Sequence, residues 1–177
     1  ILSAVTNANY GAAGFVGAAS VFDADDVADL RGSAIAQNLP IDQCALVLDS
    51  TYFTSLLKDN NLNPAMTYGD SDVIRDGRIP SLFGLGYLYE STALPGNAEN
   101  LVGFLAHPSA MAVAMRYLAP INSKEYISAR RLYDETSGMV LGYREFYDAS
   151  TGTQTAVLEA VYGYSVALGG SIIRMTS

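Results

Sequence analysis

GRIPSLFGLGYLYESTALP, residues 77–95, is the stretch on which the fold turns. Its inner part, FGLGYLYES ending at Ser91, reads as a β-strand, because aromatic and apolar residues dominate it. Glycine inside a strand marks a bulge or the close approach of another backbone, and Gly84 and Gly86 are placed to permit either. Side chains alternate across a strand, so Leu85, Tyr87 and Tyr89 are predicted to share one face. On its N-terminal side lies KDNNLNPAMTYGDSDVIRDGRIP, residues 58–80, whose Asn, Asp, Gly and Pro mark a long irregular loop. Loops of that length in compact domains are usually functional or mobile.

Working outward, Val27, Leu30, Ala34 and Ile35 recur at helical spacing. Asp23 and Asp25 can cap the start and Pro40 lies past the end, which predicts a helix over about 24–38. CALVLD, 44–49, is a strand-type apolar run, and Asp49 or Ser50 can cap a second helix running to Leu57. Beyond a turn at Pro95-Gly96, LVGFLA reads as another strand. Pro108 stands early in a predicted third helix with Met111, Met115 and Leu118 as its apolar stripe. Residues 1–20 are Ala- and Gly-rich and read as loop or loosely packed chain. In the last third, strand-like segments from Tyr126 to Asp134, Met139 to Asp148 and Thr153 to Leu168 are separated by Ser137-Gly138 and Thr151-Gly152. SIIRM closes the chain, and the segment around Thr155–Tyr162 fits strand or helix. The order of elements is that of an α+β protein.

The chain has 177 residues, 10 basic and 18 acidic, for a net charge of −8, which suits one domain with room for a subdomain. With 50% hydrophobic residues it has enough apolar content to fold without staples. Its 16% charged residues fall below the usual ~25%, so part of its surface is expected to face other protein. The excess of acids argues against a broad nucleic-acid footprint. Lys58 and Lys124 are the only lysines, and a bias to arginine suits protein contacts. Twelve tyrosines and no tryptophan suit half-buried surfaces, or ordinary sheet packing. Cys44 sits in an apolar run and reads as a buried strand residue; with one cysteine no intrachain disulfide forms. No run reaches the ~18–20 apolar residues of a membrane span. A chain that begins at Ile1 without a signal-like segment reads as processed or truncated.

For catalysis the residues offer little. Gly11, Gly14 and Gly17 in YGAAGFVGAAS resemble the phosphate-binding turn of extended short-chain dehydrogenases, in which glycines bring helix N-terminal amides against a pyrophosphate. Thr6-Asn7-Ala8-Asn9 stands where the preceding strand belongs, and no Tyr-x-x-x-Lys follows. His107, the only histidine, stands at a predicted strand-to-helix corner, where a hydrogen-bonded structural role is expected. One His and one Cys cannot make a structural zinc site. Asp70 with Asp72, or Asp23 with Asp25 and Asp26, lack the spacing of a calcium loop. Asp134-Glu135 would alternate to opposite faces of a strand. No catalytic, cofactor-binding or metal-binding residues are expected.

The order of motifs resembles the C-terminal part of tailed-bacteriophage major capsid proteins of the Hong Kong 97-type fold. DADDVADLRGSAIAQNLPIDQCALVLDSTYFTSLLKD is similar to the family's helix, Pro-containing turn, apolar strand and Leu-Leu helix. In the opening stretch Gly77, Ile79, Gly84, Ser91, Leu94 and Pro95 stand at the family's positions, LVGFLAHPSAMAVAMR follows, and REFYDASTGTQTAVLEAVYGYSVALGGSIIRM resembles the closing strands. The resemblance covers Val21 to Ser177, which divides the chain into a segment, 1–20, and a capsid-fold core, 21–177. It implies axial-domain and returning peripheral-domain strands of a subunit tiling into pentamers and hexamers of an icosahedral shell around DNA. Virion localisation, scaffolding or portal partners, no sequence-specific nucleic acid and no membrane go with it. The family's N-terminal arm, extended loop and spine helix are expected upstream of Ile1. The lysine cross-link of some members has no matching motif here. Quasi-equivalent assembly uses many weak contacts with rim charges setting register, and Asp70, Asp72, Arg75 and Arg78 are expected to supply them. An NAD(P)-binding fragment and an encapsulin-like compartment shell are the alternative readings.

Overall fold

The computed structural model describes residues 1–59, 62, 79, 82–94, 97–119 and 126–177. In chain order the principal elements are α1 (Asn7–Tyr10), β1 (Phe15–Val16), α2 (Ala24–Ala36), β2 (Ala45–Asp49), α3 (Ser50–Lys58), β3 (Tyr87–Ser91), β4 (Leu101–Ala106), β5 (Met111–Arg116), β6 (Ser128–Tyr133), β7 (Val140–Asp148), β8 (Thr153–Glu159), β9 (Val161–Val166) and β10 (Ile172–Thr176). They form two units, 1–111 with 166–177, and 112–165.

The first unit is built on a five-stranded mixed sheet in the order β1-β10-β4-β2-β3. β2 runs parallel to β3 and antiparallel to β4, with Leu46 opposite both Leu88 and Leu105. The central strands are the two apolar runs of the sequence, which is what burial on both faces selects. α2 starts because Asp23 accepts hydrogen bonds from the N–H groups of Asp25 and Asp26 while the Asp26 carboxylate accepts from Asp23 N–H at 3.1 Å, a reciprocal capping box. It ends before Asn38, whose φ of 58° leaves the helical region. α3 follows β2 directly, with the Asp49 carboxylate accepting from Thr51 N–H at 3.1 Å. Val27, Leu30, Ala34, Tyr52, Phe53 and Leu56 of these helices close over Leu46, Leu48, Leu105 and Met175 in one core. A fully buried Leu or Val contributes about 1.5–3 kcal/mol.

The decisive stretch differs from its expected form. The strand is shorter, Tyr87–Ser91, because Phe83 and Gly84 have φ of 52° and 77° and turn the chain ahead of it. Leu85 is therefore not in register with the tyrosines: it is buried, while Tyr87 and Tyr89 are exposed and stacked on each other at 5.9 Å. Gly86 serves close approach, since a Cβ there would lie 2.1 Å from the Asp42 carbonyl oxygen.

The predicted third helix is not formed. Pro108–Ala110 makes one 3₁₀ turn and Met111–Arg116 is β5, paired with β9. The large residues Met111, Val113 and Met115 alternate with alanine, and this period of two, completed by a partner strand, overrides the helical preference of Ala and Met. Residues 1–20 are more ordered than expected. Val5 and Tyr10 are buried beside Leu101 and Ile172, and the Tyr10 hydroxyl donates to the Ala110 carbonyl at 2.9 Å.

The secondary-structure elements described in the second unit are all strands. β6, β7 and β8 form an antiparallel meander, with Arg130 opposite Tyr143 and Tyr143 opposite Leu158. The expected turns at Ser137-Gly138 and Thr151-Gly152 are present, each glycine at a positive φ near 68° and 67°. The segment that fitted strand or helix is strand, divided between β8 and β9.

Candidate self-association surface

Among the described residues, no large apolar side chain between 112 and 165 is buried; the buried position there is Gly142. Val113, Ile127, Tyr133, Tyr147, Leu158 and Tyr162 are all more than half exposed, Leu158 at 62%. Each ordered residue costs ~1–2 kcal/mol of backbone entropy, which globular units offset mainly by apolar burial. A two-stranded ribbon such as β5-β9 is marginal on its own. Among its described residues the unit thus has the strands of a domain without a hydrophobic interior.

Its described side-chain contacts are instead largely between rings and guanidinium groups. Strand pairing places Arg130, Tyr143 and Leu158 in one row on one face, with Leu132 and Leu141 in the next. Arg130 lies over the Tyr143 ring at 5.1 Å. The other face carries Arg131 over Tyr133 at 5.2 Å, and Arg144, which pairs with Glu159 at 2.9 Å, donates to the Leu118 carbonyl at 3.0 Å and lies over Tyr126. Tyr126 meets Phe146 edge-on, and Tyr117 covers Gly142 closely enough that a Cβ there would be 3.3 Å from its ring. This second face is half covered by its own chain. The first is open. Arginine stacked on tyrosine keeps its donors outward and loses little freedom on meeting a carboxylate, so the surface is chemically suited to protein contact.

The turns that bound the meander are held by carboxylates. Hydrogen bonds from the Ser137 hydroxyl, then from the Thr136 and Ser137 N–H groups, hold the Asp134 carboxyl below its usual range. The Ser150 hydroxyl and N–H, with Thr151, do the same for Asp148.

The glycine cluster has a structural assignment. Gly14 N–H donates to Arg174 O at 2.8 Å and Gly17 N–H to Thr176 O at 3.1 Å, while Gly11 N–H closes α1 on Asn7 O. A Cβ on Gly14 would lie 2.5 Å from Ile173 Cγ2. These amides are used to lay the chain along β10, and α2 begins only at Ala24, so the phosphate-cradling arrangement is not built. Arg174 is buried, pairs with Glu99 and donates to Gly11 O. His107 accepts from Ser109 N–H at 3.2 Å through Nδ1 and contacts Gln43 through Nε2, capping the 3₁₀ turn as a structural residue. Cys44 is buried, and burial pushes its thiol pKa up. A groove between α3 and the segment that leads into α2 is lined by Ser20, Asp23, Ser50, Thr54, Lys58 and Asp59. Its acids are engaged in helix capping: Asp59 accepts from Ala24 N–H at 2.8 Å. Asp70, Asp72, Arg75 and Arg78 lie outside the described residues.

Sequence reasoning missed Arg130, Arg131, Arg144 and Arg174. The bias to arginine and the tyrosines on proposed strands were the available signals; the register that pairs them was not.

No protein-family model matches the chain, and no curated protein does. Solved structures do. A chain from Mycobacterium phage Che8 superposes with a TM-score of 0.56 at 21% identity over 91% of this chain. The capsid structure of cyanophage P-SCSP1u gives 0.53 at 12% over 97%. The mature capsid of bacteriophage PhiM1 gives 0.53 at 12% over 92%. This chain spans about half of each, 52%, 49% and 50%. Its fold, a mixed helix and strand arrangement, is phage capsid-like.

Proposed function

We propose that the chain is a structural subunit of a phage or prophage capsid of the Hong Kong 97 type, assembling with copies of itself into pentamers and hexamers of an icosahedral shell around packaged DNA. The observation that carries this is the second unit, an ordered sheet with no buried large apolar side chain among its described residues and with stacked arginines along its strands. Such a sheet reaches a stable state when other protein covers it. The capsid-like fold supports the same reading.

In this proposal the core, 21–177, supplies the axial domain and the returning peripheral strands, and 1–20 is a segment bound to it. Scaffolding or portal proteins are further partners, and the place of the protein is the virion. The loop charges Asp70, Asp72, Arg75 and Arg78 set register at subunit rims. The role is structural, without a cofactor.

Sedimentation and negative-stain electron microscopy of the protein, produced with its native flanking sequence, test the reading. Closed shells of uniform size support it. A monomer at all concentrations, or a melting temperature raised by NAD or NADP, contradicts it.

A further inference from the structure

We propose that the face of the β6-β7-β8 meander that carries Arg130 and Leu158 docks on the exposed face of α2 in a second copy of this chain, with Arg130 meeting Asp25 and Asp29. This deepens the shell-subunit reading and rests on it. Three observations lead there. The first is charge. Residues 112–165 hold five basic and six acidic residues, while the rest of the chain holds five basic and twelve acidic, so the acidic surplus lies almost wholly in the first unit. Every copy carries both surfaces, and a head-to-tail contact between them can repeat around a ring.

The second is the state of the groups themselves. Arg130 is exposed and held on Tyr143, with no ion pair among the described residues. On α2, Asp23 and Asp26 are consumed by the capping box, whereas Asp25 and Asp29 are exposed, four residues apart on one face. A guanidinium is suited to such carboxylates.

The third is Gly32. It continues the Asp25–Asp29 face at the middle of α2, it is exposed, and a Cβ there would meet no atom within 4 Å. Glycine inside a helix is unfavourable, and nothing packed within the described chain requires one here. Close approach by a partner supplies the reason. On the meander the exposed Leu158 lies in the same row as Arg130, one strand beyond Tyr143, and adds an apolar side chain to the docking face.

The test is assembly of the protein, with its native flanking sequence, followed by sedimentation, and monomer melting as a control. Arg130→Glu and the pair Asp25→Arg with Asp29→Arg should each raise the concentration needed for assembly by about tenfold or more. The triple variant carrying both changes should recover it. Gly32→Gln should melt higher than wild type yet assemble less well, an opposition that a merely structural role does not give. Reversals that assemble like wild type, a triple variant that folds but stays defective, or a Gly32→Gln protein that assembles normally each overturn the docking. Loss of retention on short double-stranded DNA in Arg130→Glu with assembly unchanged also overturns it, in favour of a nucleic-acid partner. Failure of the wild-type protein to assemble refutes the shell-subunit reading itself.

Discussion

Arg174 donates twice to the carbonyl oxygen of Gly11, from Nε at 3.0 Å and from Nη2 at 2.8 Å, across 163 positions of sequence. The same guanidinium pairs with Glu99, whose carboxylate also accepts from Asn7 N–H at 2.9 Å. One buried cation therefore binds the N-terminal segment to β10 and to the turn before β4. Arg174→Ala leaves the Gly11 carbonyl and the Glu99 carboxylate without it, and removing one partner of a buried pair costs ~3–5 kcal/mol, reduced here because Glu99 is partly solvated. The expected outcome is a lower melting temperature with early proteolysis within residues 1–11. Glu99→Gln, which keeps an acceptor, should lose much less.

Gly86 and Gly163 form a matched pair of tests. A Cβ on Gly86 would lie 2.1 Å from backbone, which cannot yield as a side chain can, whereas one on Gly163 would meet nothing within 4 Å. Gly86→Ala should cost ~1–3 kcal/mol or more in denaturant unfolding, through overpacking. Gly163→Ala, in β9, should stay within about 0.5 kcal/mol of wild type.

The two hairpin turns of the meander respond to acid. Asp134 and Asp148 have carboxyl pKa values lowered in the folded chain by the hydroxyl and N–H groups that they accept from. A lowered folded pKa contributes stability that is present above the unfolded value, ~3.9, and is lost as pH falls through the folded value. Asp26 runs the opposite way. Burial first, then repulsion from Asp23, Asp29 and Asp25, raises its pKa against the hydrogen bond from Asp23, so its contribution is complete below ~3.9 and is lost as pH rises through its folded value. Protection of the Gly138 and Gly152 amides, taken relative to intrinsic exchange at each pH, should therefore fall as pH drops below the unfolded carboxyl value of ~3.9. In Asp134→Asn the acid step at Gly138 should disappear, and an unchanged step contradicts the assignment.

What could be read from residues alone was what neighbours in sequence decide. α2, β2, α3 and β4 were legible because capping aspartates, apolar periodicity and Pro40 act within a few positions. The helix expected from Pro108 was not, because Met111 to Arg116 satisfies both periods and β9, about fifty residues on, settles the matter. Gly86 meets the expected close approach, whereas Gly84 lies in a turn ahead of the strand, and that turn at Phe83-Gly84 removes Leu85 from the tyrosine face. For the site, tyrosines on strands and a preference for arginine were visible. That Arg130 stacks on Tyr143, or that Arg174 meets Gly11, depends on register and long-range closure, which composition does not encode. The loop charges proposed for subunit rims lie outside the described residues, so the arginine sheet carries the structural argument in their place.

On the proposed function, residues 112–165, with no hydrophobic interior among their described positions, take their stability from neighbouring copies. Amide hydrogen exchange of the same protein, assembled and dissociated, measures this directly. Amides of β6, β7 and β8 should exchange rapidly in the dissociated chain and become protected by at least about a hundredfold on assembly, while those of β2 and β4 stay protected in both. Equal protection of the meander in the two states would contradict it.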